Sequence, residues 1–462
     1  MKIKLIETGN ARDDPFAQCW YTPGQKRFAV PLLALPVVAA LTPDDVEIEI
    51  IDEKIRDVHF DDPCDLACFS YKTKDAARTY RYADEFRKRG VPVILGGVHA
   101  TRLPEEAAQH ADSVVVGEAE GIWPQVMADF RKGRLQKMYR ALKMVPLETA
   151  PIPRYDLLEN DRYCVHPIQT SRGCLVGCEF CPIQEMFGGR SRCKPVDRVL
   201  AEIETVRRID PTKDIFFVDE MFCGGQAGYQ SRLLKEIRPL KIDFYCISDF
   251  KVINPAYVWD LAASGCKKLI INMPGTCLPQ ELKAVKAIQK LGVDVWGFFM
   301  FGFSFHDKTV FRKVVDFVRE SGMKNLTITV MSPFPNTPME KRISDRIFSK
   351  DWRLYDQCHA TYRPERMSAG QLQEGFLWAW KELEDRLFIR EEEMVRNARW
   401  VRRIKRPVGA AALGLQRAYE RIAGKQEEPV DLEAILGRKK AEVAVTPYNV
   451  MAGIKHPDPL IP

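Results

Sequence analysis

The chain has 462 residues, 46% of them hydrophobic and 29% charged, with a net charge of +6. That length suggests about three domains, the composition is that of an ordinary globular protein, and the small net charge gives no reason to expect nucleic acid as a partner. No stretch approaches ~18 uninterrupted apolar residues, which excludes a helix crossing a membrane.

The N-terminus, Met1-Lys-Ile-Lys-Leu-Ile-Glu7, interrupts its apolar residues with charge and has no signal-peptide core. A cytoplasmic location is expected. The thirteen cysteines are then reduced thiols rather than a disulfide framework. Those inside apolar stretches, such as Cys246 and Cys266, read as small core residues.

In chain order, residues 2–8, 46–51, 66–71, 91–96 and 113–116 are short, β-branched and closed by turn residues or charge, the pattern of buried strands. Residues 75–89, 105–110 and 121–132 between them have helical spacing. Such alternation predicts an α/β unit with a parallel sheet over residues 1–150. The Pro-rich stretch 146–153 is the linker.

The alternation then resumes. Strands are expected at 168–171, 214–219, 243–248, 268–273, 293–301 and 326–331, and helices at 196–208, 229–238, 257–264, 278–291 and 308–321. Six βα units are too few for a closed eight-stranded barrel, so residues 151–343 predict a partial, open (β/α)6 barrel. Residues 344–462 form a C-terminal helical region and tail: 369–384 carries apolar residues at helical spacing, and 386–423 is helix-forming with a break at Pro407. Arg396, Arg399, Arg402, Arg403, Lys405 and Arg406 lie within it, around Trp400 and Ile404. They read as a solvated face or as a peripheral contact with anionic lipid or an acidic substrate.

The chemistry concentrates in Thr170-Ser-Arg-Gly-Cys174-Leu-Val-Gly-Cys178-Glu-Phe-Cys181-Pro182, directly after a predicted strand. Cys174, Cys178 and Cys181 share one loop and can converge on one metal centre, iron–sulfur or zinc. A closed zinc site wants four ligands, and Cys164, His166 and Cys193 are at no typical offset. Three thiolates on a four-iron cluster leave one iron open. Gly173 and Gly177 let the loop turn tightly, and Phe180 offers a ring on which an adenine could stack.

This Cys-x3-Cys-x2-Cys loop with an aromatic residue before its last cysteine resembles that of the radical S-adenosylmethionine superfamily. Phe187-Gly-Gly-Arg-Ser-Arg-Cys-Lys-Pro-Val-Asp-Arg-Val199, Phe216-Phe-Val-Asp-Glu220 and Ser332-Pro-Phe-Pro-Asn-Thr-Pro338 are similar to its cobalamin-domain members. The resemblance implies a 4Fe–4S cluster on the three cysteines. S-adenosylmethionine would be chelated by the open iron and cleaved to a 5′-deoxyadenosyl radical, with the electron coming from a low-potential flavodoxin- or ferredoxin-type donor. Asp219 and Glu220 stand where relatives contact the methionyl amino group. Asn272-Met-Pro-Gly-Thr276 stands where relatives carry Gly-Phe-Glu-Ser or Gly-Ile-Glu-Ser, so Asn272 and Thr276 are expected to supply substitute hydrogen bonds.

The first unit is similar to a Rossmann-like cobalamin-binding domain in Ala29-Val-Pro-Leu-Leu-Ala-Leu-Pro36, Ser70, Gly96-Gly97-Val-His99 and Gly117-Glu118-Ala-Glu120. Ligands lie at the carboxyl ends of such strands, where Ser70, Gly96, Gly97, Gly117 and Glu118 are expected. The loop Thr8-Gly-Asn-Ala-Arg-Asp13 lacks the histidine signature that ligates cobalt, and neither His59 nor His99 takes that position.

The resemblance implies an enzyme, with cobalamin-dependent methylation of an unactivated carbon as its leading reading. A radical cyclase or coupling enzyme without methyl transfer, and a non-catalytic corrinoid- or cluster-binding sensor, are the alternatives. The substrate would be a small molecule or lipid-like, and no residue chooses among the classes that relatives use.

Overall fold

The computed structural model describes residues 1–9, 21–22, 27–28, 30–141, 143–250 and 253–383. The expected helix at 386–423, with its basic run from Arg396 to Arg406, lies outside the described residues, as does most of the loop after the first strand.

The first sheet comprises β1 (Lys2–Glu7), β2 (Glu47–Asp52), β3 (Leu66–Ser70), β4 (Val93–Gly96), β5 (Ser113–Val116) and β6 (Met138–Arg140). It is parallel throughout, in the order β2-β1-β3-β4-β5-β6. Side chains alternate across it with the period of two that a strand imposes. Ile6, Ala67, Phe69 and Leu95 pack on one face with Ala83 and Phe86 of α1 (Ala76–Lys88). Ile3, Leu5, Leu66, Cys68 and Ile94 pack on the other with Trp123, Val126 and Met127 of α2 (Trp123–Arg131). Both faces are therefore covered, as a parallel sheet requires. The strand order reverses between β1 and β3, which opens a crevice at their carboxyl ends.

The second sheet is β7 (Val165–Ile168), β8 (Asp214–Phe217), β9 (Phe244–Asp249), β10 (Cys266–Met273), β11 (Asp294–Phe301) and β12 (Asn325–Val330), all parallel and in chain order. β7 and β12 are its two edges, so the sheet is an open half-barrel. Its convex side buries Phe217, Phe244, Ile271, Phe299 and Ile328 against the intervening helices. Its concave side carries Phe216, Tyr245, Ile270 and Trp296. The buried Lys268 ammonium lies 5.7 Å from the Tyr245 ring centre and 5.9 Å from that of Trp296, where cation–π attraction compensates the desolvated charge. Cys246 and Cys266 are buried strand residues, as expected.

The first barrel strand lies earlier than its sequence suggests, because Pro167 is tolerated on an edge strand that needs one fewer donor. Ser171–Arg172 instead pairs antiparallel with Arg192–Cys193. Among the elements outside the sequence expectations are the strand Met138–Arg140 and the helix Ala34–Leu41, whose Pro36 falls in the first turn and removes no intrahelical bond.

The helix Ala369–Glu382 starts with a Ser368–Gln371 capping box and adds Leu372, Phe376, Ala379 and Trp380 to the barrel core. Gly375 permits this approach: a Cβ there would lie 2.1 Å from the Phe311 ring. Nearby, the Val330 amide of β12 donates to the Gln357 carbonyl at 2.7 Å.

Candidate functional site

The cysteine loop is shaped by its own backbone. Gly173 has φ +94°, and a Cβ there would sit 2.0 Å from the Arg190 carbonyl oxygen. Only glycine permits that approach. Gly177 has φ +74° in open space. The Cys181 amide donates to the Cys178 carbonyl at 3.1 Å, the Gln184 side chain donates to the Cys174 carbonyl at 2.8 Å, and the Val176 amide faces the Cys174 sulfur at 3.4 Å. All three cysteines are partly exposed. Burial pushes the Cys181 thiol up to about 11, with Cys174 and Glu220 adding to the shift.

Among the described residues no three His, Cys, Asp or Glu side chains close on a single ion. The fit to a cluster rests on donor chemistry: three thiols on one loop, a set that suits iron–sulfur ligation.

Asp219 and Glu220 follow β8 but have different tasks. Asp219 is fully buried. One carboxylate oxygen accepts the amides of Thr170 (2.6 Å) and Ser171 (3.1 Å), and the other accepts the Cys223 amide (2.9 Å) and the Thr170 hydroxyl. Burial raises its pKa against the pull of these donors. Its acceptor capacity is spent on fastening the approach to the cysteine loop. Glu220 accepts the Gly173 amide at 3.1 Å and acts on Cys181. Burial, reinforced by the charge of Asp219, raises its pKa. Glu220 thus borders the thiols.

Phe180 also borders them, its ring edge-on to Phe303 at 5.8 Å. Phe303 stacks on Phe305 at 5.4 Å, and Met300, Met331 and Met339 pack beside them. An apolar wall results at the carboxyl ends of β11 and β12.

Asn272 is exposed. It lies between Ile271 and Met273 of the convex core, so it belongs to the concave face, in register with Asp249 and Phe298. Thr276 does not share that role: its hydroxyl donates to Glu281 at 2.9 Å, and the other Glu281 oxygen accepts the Leu278 amide at 2.7 Å. Helix capping has taken the group expected to contact a cofactor.

His306 joins the site without any local sequence pattern to mark it. Its ring accepts the Gly302 amide at 3.2 Å and faces the Pro274 carbonyl at 2.8 Å, tying the Asn272–Thr276 turn to the loop after β11. Burial depresses its pKa to about 4. The neutral ring therefore carries its proton on Nε2, toward Pro274.

On the first sheet, Ser70 and Gly96 end adjacent strands in register. Gly97 has φ +90°, and a Cβ there would lie 2.8 Å from both the Ser70 hydroxyl and the Tyr71 amide. Gly117 has φ +89°, and its amide donates to Thr101 at 3.1 Å. These four share one carboxyl rim.

Glu118 departs from the expectation for it. One of its oxygens accepts Arg172 and Arg192 at 2.7 Å each, and the other accepts Arg192 at 2.9 Å and the Val145 amide at 2.8 Å. Burial would raise its pKa, but the two guanidiniums hold it below the usual carboxylate range. Its carboxylate binds the barrel rather than a ligand. Arg172 stands in the cysteine-loop motif itself, and Arg192 in the Phe187–Val199 run that follows it.

An open parallel half-barrel with a thiol-bearing loop after its first strand, and a second parallel sheet held at its rim, define a two-sheet α/β protein of the partial-barrel class. No family model matches the chain, but curated relatives do. It is 26% identical over 391 residues to the bacteriochlorophyllide d C-12(1)-methyltransferase of Chlorobaculum tepidum, spanning 80% of this chain and 86% of the relative. The C-8(2)-methyltransferase of that organism is 28% identical over 72% of this chain and 81% of its own. The hopanoid C-2 methylase of Rhodopseudomonas palustris is 23% identical over 68% and 64%.

Among solved structures, the radical S-adenosylmethionine methyltransferase TsrM of Kitasatospora setae, with cobalamin and a [4Fe-4S] cluster bound, superposes with a TM-score of 0.57. That match has 15% identity over 81% of this chain and 85% of that one, a likeness of fold. Over most of its length the chain is therefore similar in sequence to these methyltransferases and in fold to a radical S-adenosylmethionine methyltransferase.

Proposed function

We propose that the protein is a cobalamin-dependent methyltransferase that uses S-adenosylmethionine radical chemistry to methylate an unactivated carbon of an apolar biosynthetic intermediate. The observation that carries this reading is the apposition of the two rims, with the first sheet's glycine-lined carboxyl ends tied directly to the cysteine loop through Glu118. The activities of the relatives, methylation of bacteriochlorophyllides and hopanoids, support methyl transfer over ring formation or coupling.

In this reading Cys174, Cys178 and Cys181 hold the 4Fe–4S cluster. Glu220 and Asn272 hold the polar end of S-adenosylmethionine and Phe180 its adenine. Ser70, Gly96, Gly97 and Gly117 admit a corrinoid. When bound, these groups supply one-electron cleavage of S-adenosylmethionine and methyl carriage. The chain's own residues orient and shield. Asp219 fixes the loop that presents the thiols, His306 fixes the turn that presents Asn272, and the Phe303–Phe305 wall excludes water and offers an apolar surface to the substrate.

Residues 1–150 form the corrinoid unit and 151–343 the barrel. A low-potential protein donor in the cytoplasm completes the system. Among the described residues no helix is long and apolar enough to cross a membrane.

The test is anaerobic turnover of reconstituted protein with hydroxocobalamin, strong reductant, methyl-deuterated S-adenosylmethionine and a panel of chlorophyllides and triterpenes. Both 5′-deoxyadenosine and a product heavier by one labelled methyl are expected. Modified product without label would favour non-methylating radical chemistry, and absence of 5′-deoxyadenosine with every substrate would favour a sensor.

A further inference from the structure

The first sheet meets the half-barrel at both of its open edges, through contacts of different character. At the β12 edge, Arg102 donates to the Pro335 carbonyl at 3.1 Å and to the Asn336 carbonyl, and the Asn336 side-chain Nδ2 donates back to the Arg102 carbonyl at 2.6 Å. These bonds are polar and largely exposed. At the β7 edge the contact is ionic and buried. Arg172 reaches Glu118 at 2.7 Å and Glu120 at 2.8 Å, and Arg192 reaches Glu118 at 2.7 Å. None of the four side chains is more than 18% exposed. Arg172 and Arg192 are partners across the antiparallel pair, and Arg172 lies two residues ahead of Cys174.

Two acids and two guanidiniums balance in charge, but burying them is a poor way to gain stability, because well-packed apolar residues would serve as well or better. What a desolvated arginine–carboxylate fork offers is a defined distance and orientation. An apolar contact can slide, whereas this one cannot without leaving a buried charge unpaired. Through Gly173, pinned against the Arg190 carbonyl, the arginines are continuous with the thiol loop.

We infer that the Glu118–Glu120–Arg172–Arg192 clasp is a positioning device that sets the spacing between the corrinoid rim and the cluster loop, and so couples methyl transfer to radical formation. This rests on the methyltransferase reading. Reacting groups misplaced by about 1 Å lose on the order of a hundredfold in rate, so a clasp of fixed length has a direct effect on coupling.

The experiment compares full-length Glu118→Gln and Arg192→Lys with wild type and with Glu105→Gln, which removes an exposed pair with Arg140. All are reconstituted with cluster and cobalamin. The readouts are iron content, methylated product per 5′-deoxyadenosine, and hydrogen exchange of residues 113–120 and 171–176. Glu118→Gln should keep its cluster, lower product per 5′-deoxyadenosine at least tenfold, and raise exchange in both segments. Arg192→Lys, which keeps the charge and loses the fork, should lower the ratio by about threefold. Glu105→Gln should move nothing. An unchanged ratio, or parallel loss of both products together with iron, would overturn the inference. Wild-type protein that makes 5′-deoxyadenosine and no methylated product would overturn the methyltransferase reading itself.

Discussion

The two sheets share one grammar, six parallel strands with helical crossovers, yet they make opposite kinds of site. In the first, the order reverses between β1 and β3, and the rim is backbone: Gly96, Gly97 and Gly117, with Gly97 packed so closely that a methyl group would meet Ser70 and Tyr71. In the second, the strands follow chain order around a curve, and the rim is side chain: three thiols, the Glu220 carboxylate and the Phe180 ring. A side-chain site is destroyed by deleting atoms. A backbone site is indifferent to most deletions and is blocked by adding them.

The largest effect should come from deletion in the barrel. Cys174, Cys178 and Cys181 replaced together by Ala should abolish iron–sulfur absorbance and 5′-deoxyadenosine formation, while Cys223→Ser, which removes a buried thiol, should retain bound iron. Iron analysis and visible spectra decide this, and a full cluster in the triple variant would erase the distinction between the rims.

Next is a pH effect confined to the barrel. His306 is held near pKa 4 when folded against about 6.5 when unfolded. Between these values the unfolded chain binds more protons, so stability rises with pH. About 3 kcal/mol is present above pH 6.5 and is lost as pH falls through 4. Denaturant melts from pH 4 to 7 should show a shallower slope for His306→Gln than for wild type.

On the first sheet the prediction reverses direction. Gly97→Ala adds a methyl at φ +90° and should weaken hydroxocobalamin retention about tenfold, roughly 1.4 kcal/mol. Ser70→Ala, a deletion at the same rim, should change it less than threefold. Equal effects in an equilibrium binding assay would show that the first rim also works through side chains. At Gly177 the effect should fall on stability alone, because Ala meets open space and only the left-handed backbone opposes it. About 1 kcal/mol of stability should be lost, without loss of iron.

What the sequence disclosed follows the same division. Strand–helix alternation and the cysteine spacing are local patterns, and both sheets and the thiol loop were legible from them. Register and commitment are not local. Nothing near Thr276 says that Glu281 will take its hydroxyl, nothing near Asp219 says that four donors will surround it, and Glu118 resembles a ligand contact until Arg172 and Arg192 arrive from more than fifty residues away. A lone histidine after an apolar strand carries no pattern, and the two partners of His306 lie on different loops.

A half-barrel that stops at six strands leaves a row of β12 amides and carbonyls facing outward, the template on which a foreign strand adds and aggregation begins. The bond from Val330 to Gln357, with the Ala369–Glu382 helix packed alongside, shows how this chain blunts that hazard. Residues 344–383 work as a selvedge, finishing the cloth so that it does not ravel. A chain cut at the end of the barrel would keep every cysteine of its cluster loop and should still come out of solution as it folds.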